Sequence, residues 1–319
     1  MKFQKLALAL SVALTLSVFT GCSEDDDDDN TTPVDEFALM SELTDTGFAG
    51  WTTGWVQGAD YVHTNLANLY VVDLRSATDY AAGHIPGAHN ATLTTMADNI
   101  ATNNTSDLPV AVVCYTGQTS AFATMALRML GWTDAFSVKW GMGGWNDALN
   151  TSWATGISNA YVGNMVTSAS PALGTFEFPA LNTGLTDGQA ILEARVNAIL
   201  AEGLTPNIVT AATVMATPGD YQIFNYWSAA HYAVGHIDGA YQLTPGNLTT
   251  TTDLDALDPA DQQVLYCYTG QTSALVGFYL NALGYDVLSL KYGANALYHD
   301  TMPANAWAAT GFNYELETN

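Results

Sequence analysis

Seven residues, Cys-Tyr-Thr-Gly-Gln-Thr-Ser, occur twice in this chain, at 114–120 and at 267–273. Each copy follows a short apolar run, Val110-Ala-Val-Val before Cys114 and Val264-Leu-Tyr before Cys267. Each is followed by a helix-like stretch that ends in Leu-Gly-aromatic, at Leu130-Gly131-Trp132 and Leu283-Gly284-Tyr285. A thiol between a buried strand and the start of a helix has a physical use. The loop's backbone N–H groups and the helix dipole favour negative charge on the sulfur, which suits a thiolate nucleophile or a charged sulfur adduct. The chain therefore reads as two copies of one nucleophile-bearing unit.

The duplication extends beyond the loop. Tyr80-Ala-Ala-Gly-His-Ile-Pro-Gly-Ala-His matches Tyr232-Ala-Val-Gly-His-Ile-Asp-Gly-Ala-Tyr at an offset of 152 residues, and the cysteines are offset by 153. Leu69 to Arg75 matches Tyr221 to Trp227. A further strand-like run follows each helix, Ala135 to Trp140 and Asp286 to Tyr292, with Lys139 and Lys291 near the ends. The order strand, helix, turn, strand, cysteine loop, helix, strand predicts a parallel sheet covered by helices on both faces. The active loop then falls at the carboxyl end of a strand, where such folds place ligands. The expected boundaries are 37–160 and 185–319, with 161–184 as linker. The second unit opens with a helix over Asp187 to Glu202, stopped by Gly203.

The first 36 residues belong to neither unit. Lys2 and Lys5 precede an apolar run from Leu6 to Phe19, then Thr20-Gly21-Cys22. This is short for a membrane span and reads as a secretory signal over 1–21. The small residue before Cys22 resembles a bacterial lipoprotein signal, with Cys22 lipidated; an ordinary cleavage nearby is the alternative. Ser23 after that cysteine favours the outer membrane of the cell envelope. Residues 22–36, with Asp25 to Asp29, read as an extended acidic tether. The formal charge of −24, with seven Lys and Arg in 319 residues, makes nucleic acid and acidic lipid surfaces poor partners. Apart from Cys22, the cysteines are Cys114 and Cys267. An exported chain with two cysteines ordinarily suggests a disulfide. Identical loops in two units argue against it, because they open into separate pockets.

These motifs identify a family resemblance. Asp73-x-Arg75, Tyr80, Gly83-His84-Ile85-Pro86-Gly87-Ala88, Cys114-x-x-Gly117-x-x-Ser120 and Gly143-Gly144-Trp145 follow one another in the order and spacing of the rhodanese signature. The second half repeats Gly235-His236-Ile237, Gly239-Ala240 and the whole cysteine loop. The chain is thus similar to tandem rhodanese-like proteins. The resemblance implies an α/β fold of two rhodanese-like domains, each a parallel β-sheet with helices on both faces. It implies a sulfurtransferase in which Cys114 and Cys267 carry sulfane sulfur as a persulfide, taken from a small donor such as thiosulfate or polysulfide and passed to a thiol acceptor. Tyr115, Thr116, Gly117, Gln118, Thr119 and Ser120, and likewise Tyr268, Thr269, Gly270, Gln271, Thr272 and Ser273, would form the cradle. Asp73 and Arg75 would be a supporting ion pair, with His84 and His236 fixing turns rather than acting as general bases.

The departures are specific. Asn225 and Trp227 replace the ion pair in the second half, and Gly143-Gly144-Trp145 has only a loose counterpart at Gly293-Ala-Asn. Neither loop holds Lys or Arg, which weighs against thiosulfate as donor and against phosphatase chemistry. Trp140, Trp145 and Trp227 are core residues by default, pocket walls otherwise. No metal-ligand spacing, phosphate loop or dinucleotide fingerprint is present, so no metal or cofactor is expected. Two other readings stay open: an envelope protein handling sulfur or selenium species with an electron-transfer partner, and a non-catalytic binding module.

Overall fold

The computed structural model describes residues 34–318. The expected signal, the lipidation site Cys22 and most of the acidic tether lie outside the described residues. Two sheets of five parallel strands form the framework. The first contains β1 (Val56–Gln57), β2 (Tyr70–Asp73), β3 (His89–Asn90), β4 (Val110–Val113) and β5 (Phe136–Val138), in the order β1-β5-β4-β2-β3. A short strand β6 (Met165–Val166) follows. The second sheet contains β7 (Ile208–Val209), β8 (Gln222–Asn225), β10 (Tyr241–Gln242), β11 (Gln262–Tyr266) and β12 (Asp286–Leu290), with β9 (His236–Ile237) lying outside it. Its order, β7-β12-β11-β8-β10, repeats the first.

The central strands are buried on both faces, as continuous apolar runs in parallel sheets are. Val110 and Val112 of β4 join one core, while Ala111 and Val113 join another on the opposite face. Each unit opens with a helix, Glu36–Thr52 and Gly188–Glu202. Asp35 and Asp187, 152 residues apart, cap them by accepting from Ala38 N and Ala190 N at 2.9 Å. The first of these helices was not evident from the sequence, although its cap repeats that of the second.

The two cysteine helices, Gln118–Met129 and Gln271–Ala282, are buried against each other between the sheets. Phe122 meets Phe278 edge to face at 4.7 Å across this seam. The largest core cluster accordingly runs through both units.

The ends of the repeats are exchanged. Residues 161–184, expected as a linker, lie for the most part along the second unit: β6 pairs antiparallel with β9, and Phe176 N donates to Asp255 O at 2.8 Å, while Thr183 N and Gly184 N donate to Glu36 of the first unit at 2.7 Å. The tail of the second repeat crosses back to the first unit. His84 N and Glu317 O bond at 2.9 Å, as do Glu317 N and His84 O, and Trp145 Nε1 donates to Glu315 O at 3.0 Å. Phe312, Tyr314 and Leu316 pack on the first unit's core. Val166 opposite His236 and Glu317 opposite His84 occupy matching places, so each repeat's arm clasps the other repeat.

Candidate active site

Cys114 follows β4 directly and Cys267 follows β11, each at the carboxyl end of a central strand. Both thiols are free and buried. Gly117 and Gly270 cap the following helices with φ of +91° and +78°, a left-handed turn that favours glycine. That turn folds the loop's N–H groups inward. Gly117 N and Ser120 N donate to Cys114 Sγ at 3.1 and 3.3 Å. Ser273 N donates to Cys267 Sγ at 3.4 Å. Ser120 Oγ lies 3.5 Å from its sulfur and 2.7 Å from Ser137 Oγ; Ser273 Oγ lies 3.7 Å from its sulfur and 2.8 Å from Ser289 Oγ. Ser137 and Ser289 on β5 and β12 thus orient the serine that closes each cradle.

A second glycine presses each loop from below. A Cβ on Gly141 would lie 2.4 Å from Cys114 O and 2.7 Å from Gly117 N; on Gly293 it would lie 2.3 Å from Cys267 O. Met142 N and Ala294 N donate to those carbonyls at 2.8 and 2.9 Å. The structural partner of Gly293 is therefore Gly141, not Gly143 as the motif suggested. The shared pattern was Lys-aromatic-Gly, at 139–141 and 291–293. Trp140 and Tyr292 in these turns share a positive φ, +66° and +61°, uncommon for bulky residues.

Asp73 and Arg75 form a buried ion pair with Nη2 2.7 Å from Oδ2 and Nε 3.1 Å from both carboxylate oxygens. Arg75 also donates to Gly83 O at 2.7 Å, tying the strand end to the Gly83–Ala88 turn. In the second unit Trp227 is buried and stacks on Tyr268 at 4.6 Å. His84 and His236 lie away from the sulfurs. Their Nδ1 atoms sit 2.8 Å from Tyr80 O and Tyr232 O, and their rings stack on those tyrosines. Burial holds His236 below the usual histidine range. Trp145 and Trp227 are core residues, while Trp140 is half-buried.

The tyrosine after each cysteine has a partner that the sequence reading passed over. Tyr115 donates to Asp79 Oδ2 at 2.5 Å, and Tyr268 Oη lies 2.5 Å from His231 Nδ1. Asp79 and His231 are 152 residues apart, so the repeat offset was the available signal. Bonds from Ser76 and Tyr115 hold the Asp79 carboxyl below the usual carboxylate range. Burial pushes the Tyr268 phenol up to about 12.

The two loops face each other across the seam. Gln118 Nε2 donates to Ser289 Oγ at 3.0 Å and Leu290 O at 3.2 Å, and its Oε1 accepts from Tyr292 N at 3.3 Å. The reciprocal residue, Gln271, lies over Gly117, where a Cβ would lie 1.6 Å from its Nε2. Thr116 and Thr119, Tyr115 and Gln118 line a cleft of about 500 Å³ whose other wall includes Lys291 and Tyr292 of the second repeat. A smaller cavity of about 220 Å³ lies between Tyr115, Arg75, Asp79 and Met142. The first loop is the more open: Tyr115 is exposed and Thr116 half-buried, against half-buried Tyr268 and buried Thr269. Among the described residues no cluster of three metal-ligating side chains occurs, and no helix is long and apolar enough to cross a membrane.

Residues 58–148 and 213–300, more than half the chain, match the family described as the rhodanese-like domain. The chain belongs to that family, as a tandem pair. It is 44% identical over 71 residues to thiosulfate sulfurtransferase GlpE of Pseudomonas putida (strain GB-1), covering 22% of this chain and 64% of that protein. The chain thus spans less than two thirds of the curated relatives it matches. A crystal structure of thiosulfate sulfurtransferase from Pseudomonas aeruginosa is 18% identical, covering 86% of this chain and 49% of that one, with a TM-score of 0.32. The 3-mercaptopyruvate sulfurtransferase from Leishmania major is 16% identical, covering 77% and 74%, with a TM-score of 0.29.

Proposed function

We propose that the protein is a sulfurtransferase that moves sulfane sulfur through persulfides on Cys114 and Cys267. The observation that carries this is the cradle: Gly117 N and Ser120 N converge on Cys114 Sγ at 3.1 and 3.3 Å. Donors aimed at a sulfur stabilise it while it carries charge, as oxyanion holes stabilise oxygen. The Cys114 thiolate attacks the outer sulfur of a donor such as thiosulfate. A new S–S bond forms, the donor's S–S bond breaks, and sulfite leaves with the electron pair. An acceptor thiolate then attacks the outer persulfide sulfur, and Cys114 departs as thiolate. Intact-mass measurement after exposure to thiosulfate or polysulfide tests the reading, with gain of a sulfur atom expected on each cysteine. An unchanged mass with every donor would refute it.

The two sites should load at different rates. Cys114 receives two backbone N–H groups and Cys267 one, among the described residues, and its loop is more open. One hydrogen bond to a charged group is worth about 1.5–3 kcal/mol, so Cys114 should load about tenfold faster. Single-cysteine variants assayed with one donor decide it; a Cys267 that loads as fast or faster overturns the ranking.

We also propose that lipid on Cys22 holds the protein at the cell envelope. The apolar run Leu6 to Phe19 ahead of Gly21-Cys22 motivates this. Wild-type protein should sediment with membranes and Cys22→Ser should not; a wild type that is released without a lipidated N-terminus contradicts it.

A further inference from the structure

The chain is poor in cations, and its three arginines are consumed by its own framework. Setting aside Lys2 and Lys5, five of the seven Lys and Arg remain. Arg75 is held by Asp73. Arg128 donates to the carbonyls of Ala135, Gly50, Trp51 and Thr53 at 2.6–3.0 Å. Arg195 donates to Ala282 O and Asn281 O at 3.0 and 2.7 Å. What is left is the repeated pair, Lys139 and Lys291, each at the end of its sheet's last long strand and one residue before a strained aromatic. Lys139 Nζ donates to Asn305 Oδ1 at 3.4 Å. Lys291 is exposed and, among the described residues, has no carboxylate partner.

Lys291 belongs to the second repeat but opens into the cleft of about 500 Å³ whose opposite wall is the first repeat's cysteine loop. Thr116, Thr119, Ser152 and Thr205 add hydroxyl groups to the same lining. An ammonium facing a set of hydroxyls suits an anion with several oxygens. A chain this acidic repels such an anion over most of its surface, so an uncompensated local cation favours the place where it can dwell. The turn that presents Lys291 is fixed from both sides: Lys291 N donates to Val209 O at 2.8 Å, and Gln118 of the first repeat holds Tyr292 N at 3.3 Å.

We infer that Lys291 is a trans-acting binding residue: it completes the first cysteine site from the other repeat and selects a sulfonate-bearing, anionic sulfur donor for Cys114. The loop's own lack of Lys and Arg is thereby offset across the seam. This rests on the sulfur-transfer reading and deepens it. The step served is unchanged: the donor's outer sulfur passes to Cys114, and the oxyanion fragment leaves beside Lys291 with the electron pair.

The test uses the full chain with Cys267→Ser, so that loading is read at Cys114 alone by intact mass against time. Thiosulfate, a dianion, and methanethiosulfonate, a monoanion that delivers sulfur with loss of methanesulfinate, are compared. Lys291→Gln should slow loading from thiosulfate about tenfold and from the monoanion about threefold or less. Lys291→Arg should restore most of the difference, and raised salt should narrow it. Equal slowing with both donors, or none, would overturn the selection by Lys291 while leaving sulfur transfer standing. A parent protein that loads from polysulfide but from neither of these donors would overturn this inference alone, and wild-type protein that fails with polysulfide as well would remove the sulfur-transfer reading with it.

Discussion

Replacing Cys114 and Cys267 together with Ser is expected to abolish sulfur loading and leave a folded protein. Each thiol heads a cradle whose backbone donors have no other sulfur to serve, and no third cysteine exists in residues 34–318. Serine keeps the size and the hydrogen bonds, so the loops survive. Its hydroxyl is a far weaker nucleophile without an adjacent base, and His84 and His236, bonded to Tyr80 O and Tyr232 O, are not placed to supply one. Circular dichroism and denaturation would show the fold, and intact mass after donor exposure would show no added sulfur. Turnover by the double variant at an appreciable fraction of the wild-type rate would sink the mechanism.

Arg75→Ala should cost about 3–5 kcal/mol of stability, because it strands the Asp73 carboxylate in a site from which water is excluded. The pair is fully buried, with relative side-chain exposures of 3% and 0%. The loss would also free the Gly83 carbonyl and loosen the wall beside Tyr115. The second unit shows the alternative solution, with Asn225 and Trp227 in these places. A double change, Asp73→Asn with Arg75→Trp, should therefore be milder than Arg75→Ala alone, since it removes both charges at once. Chemical denaturation of the variants checks both statements. An Arg75→Ala protein within about 1 kcal/mol of wild type would mean that the buried pair is not a structural necessity.

Much of this architecture was legible in the residues. Val110 to Val113 reads as a buried strand, the stretch after Cys114 as a loop that opens a helix, and the repeated loop as a site, because each is a local pattern with a local cause. What was hidden depends on contacts between distant segments. Asp79 and His231 look like surface residues of short helices until the fold lays Tyr115 and Tyr268 over them. Gly141 and Gly293 were masked by the neighbouring Gly143-Gly144, and only their approach to Cys114 O and Cys267 O distinguishes them. Lys291 could not be placed in one cleft with Tyr115, Thr116 and Thr119 from the sequence, because only the seam between the cysteine helices brings the two repeats together. Residues 161–184 read as a connection because of the turn signals at Ser168-Ala-Ser-Pro and Phe178-Pro-Ala-Leu-Asn-Thr-Gly, and nothing set the tail after 302 apart from the second unit. Part of their bonding, β6 with β9 and Glu317 with His84, is to the opposite repeat, which no window along the chain reveals.

The exchanged arms have a consequence for symmetry. Two equal units, each completed by the other's terminal segment around a shared helix pair, have the geometry of a two-fold homodimer joined head to tail into a single polypeptide. In a homodimer any substitution appears in both copies, and the sites stay identical. Covalent fusion lifts that constraint while keeping the partners at fixed stoichiometry and register. This chain has used the freedom: an aspartate meets one loop tyrosine and a histidine the other, an ion pair braces one strand and a tryptophan fills the equivalent place, and one cradle stands open where its twin is closed in. The same clasp that ties the halves together has let their chemistry drift apart.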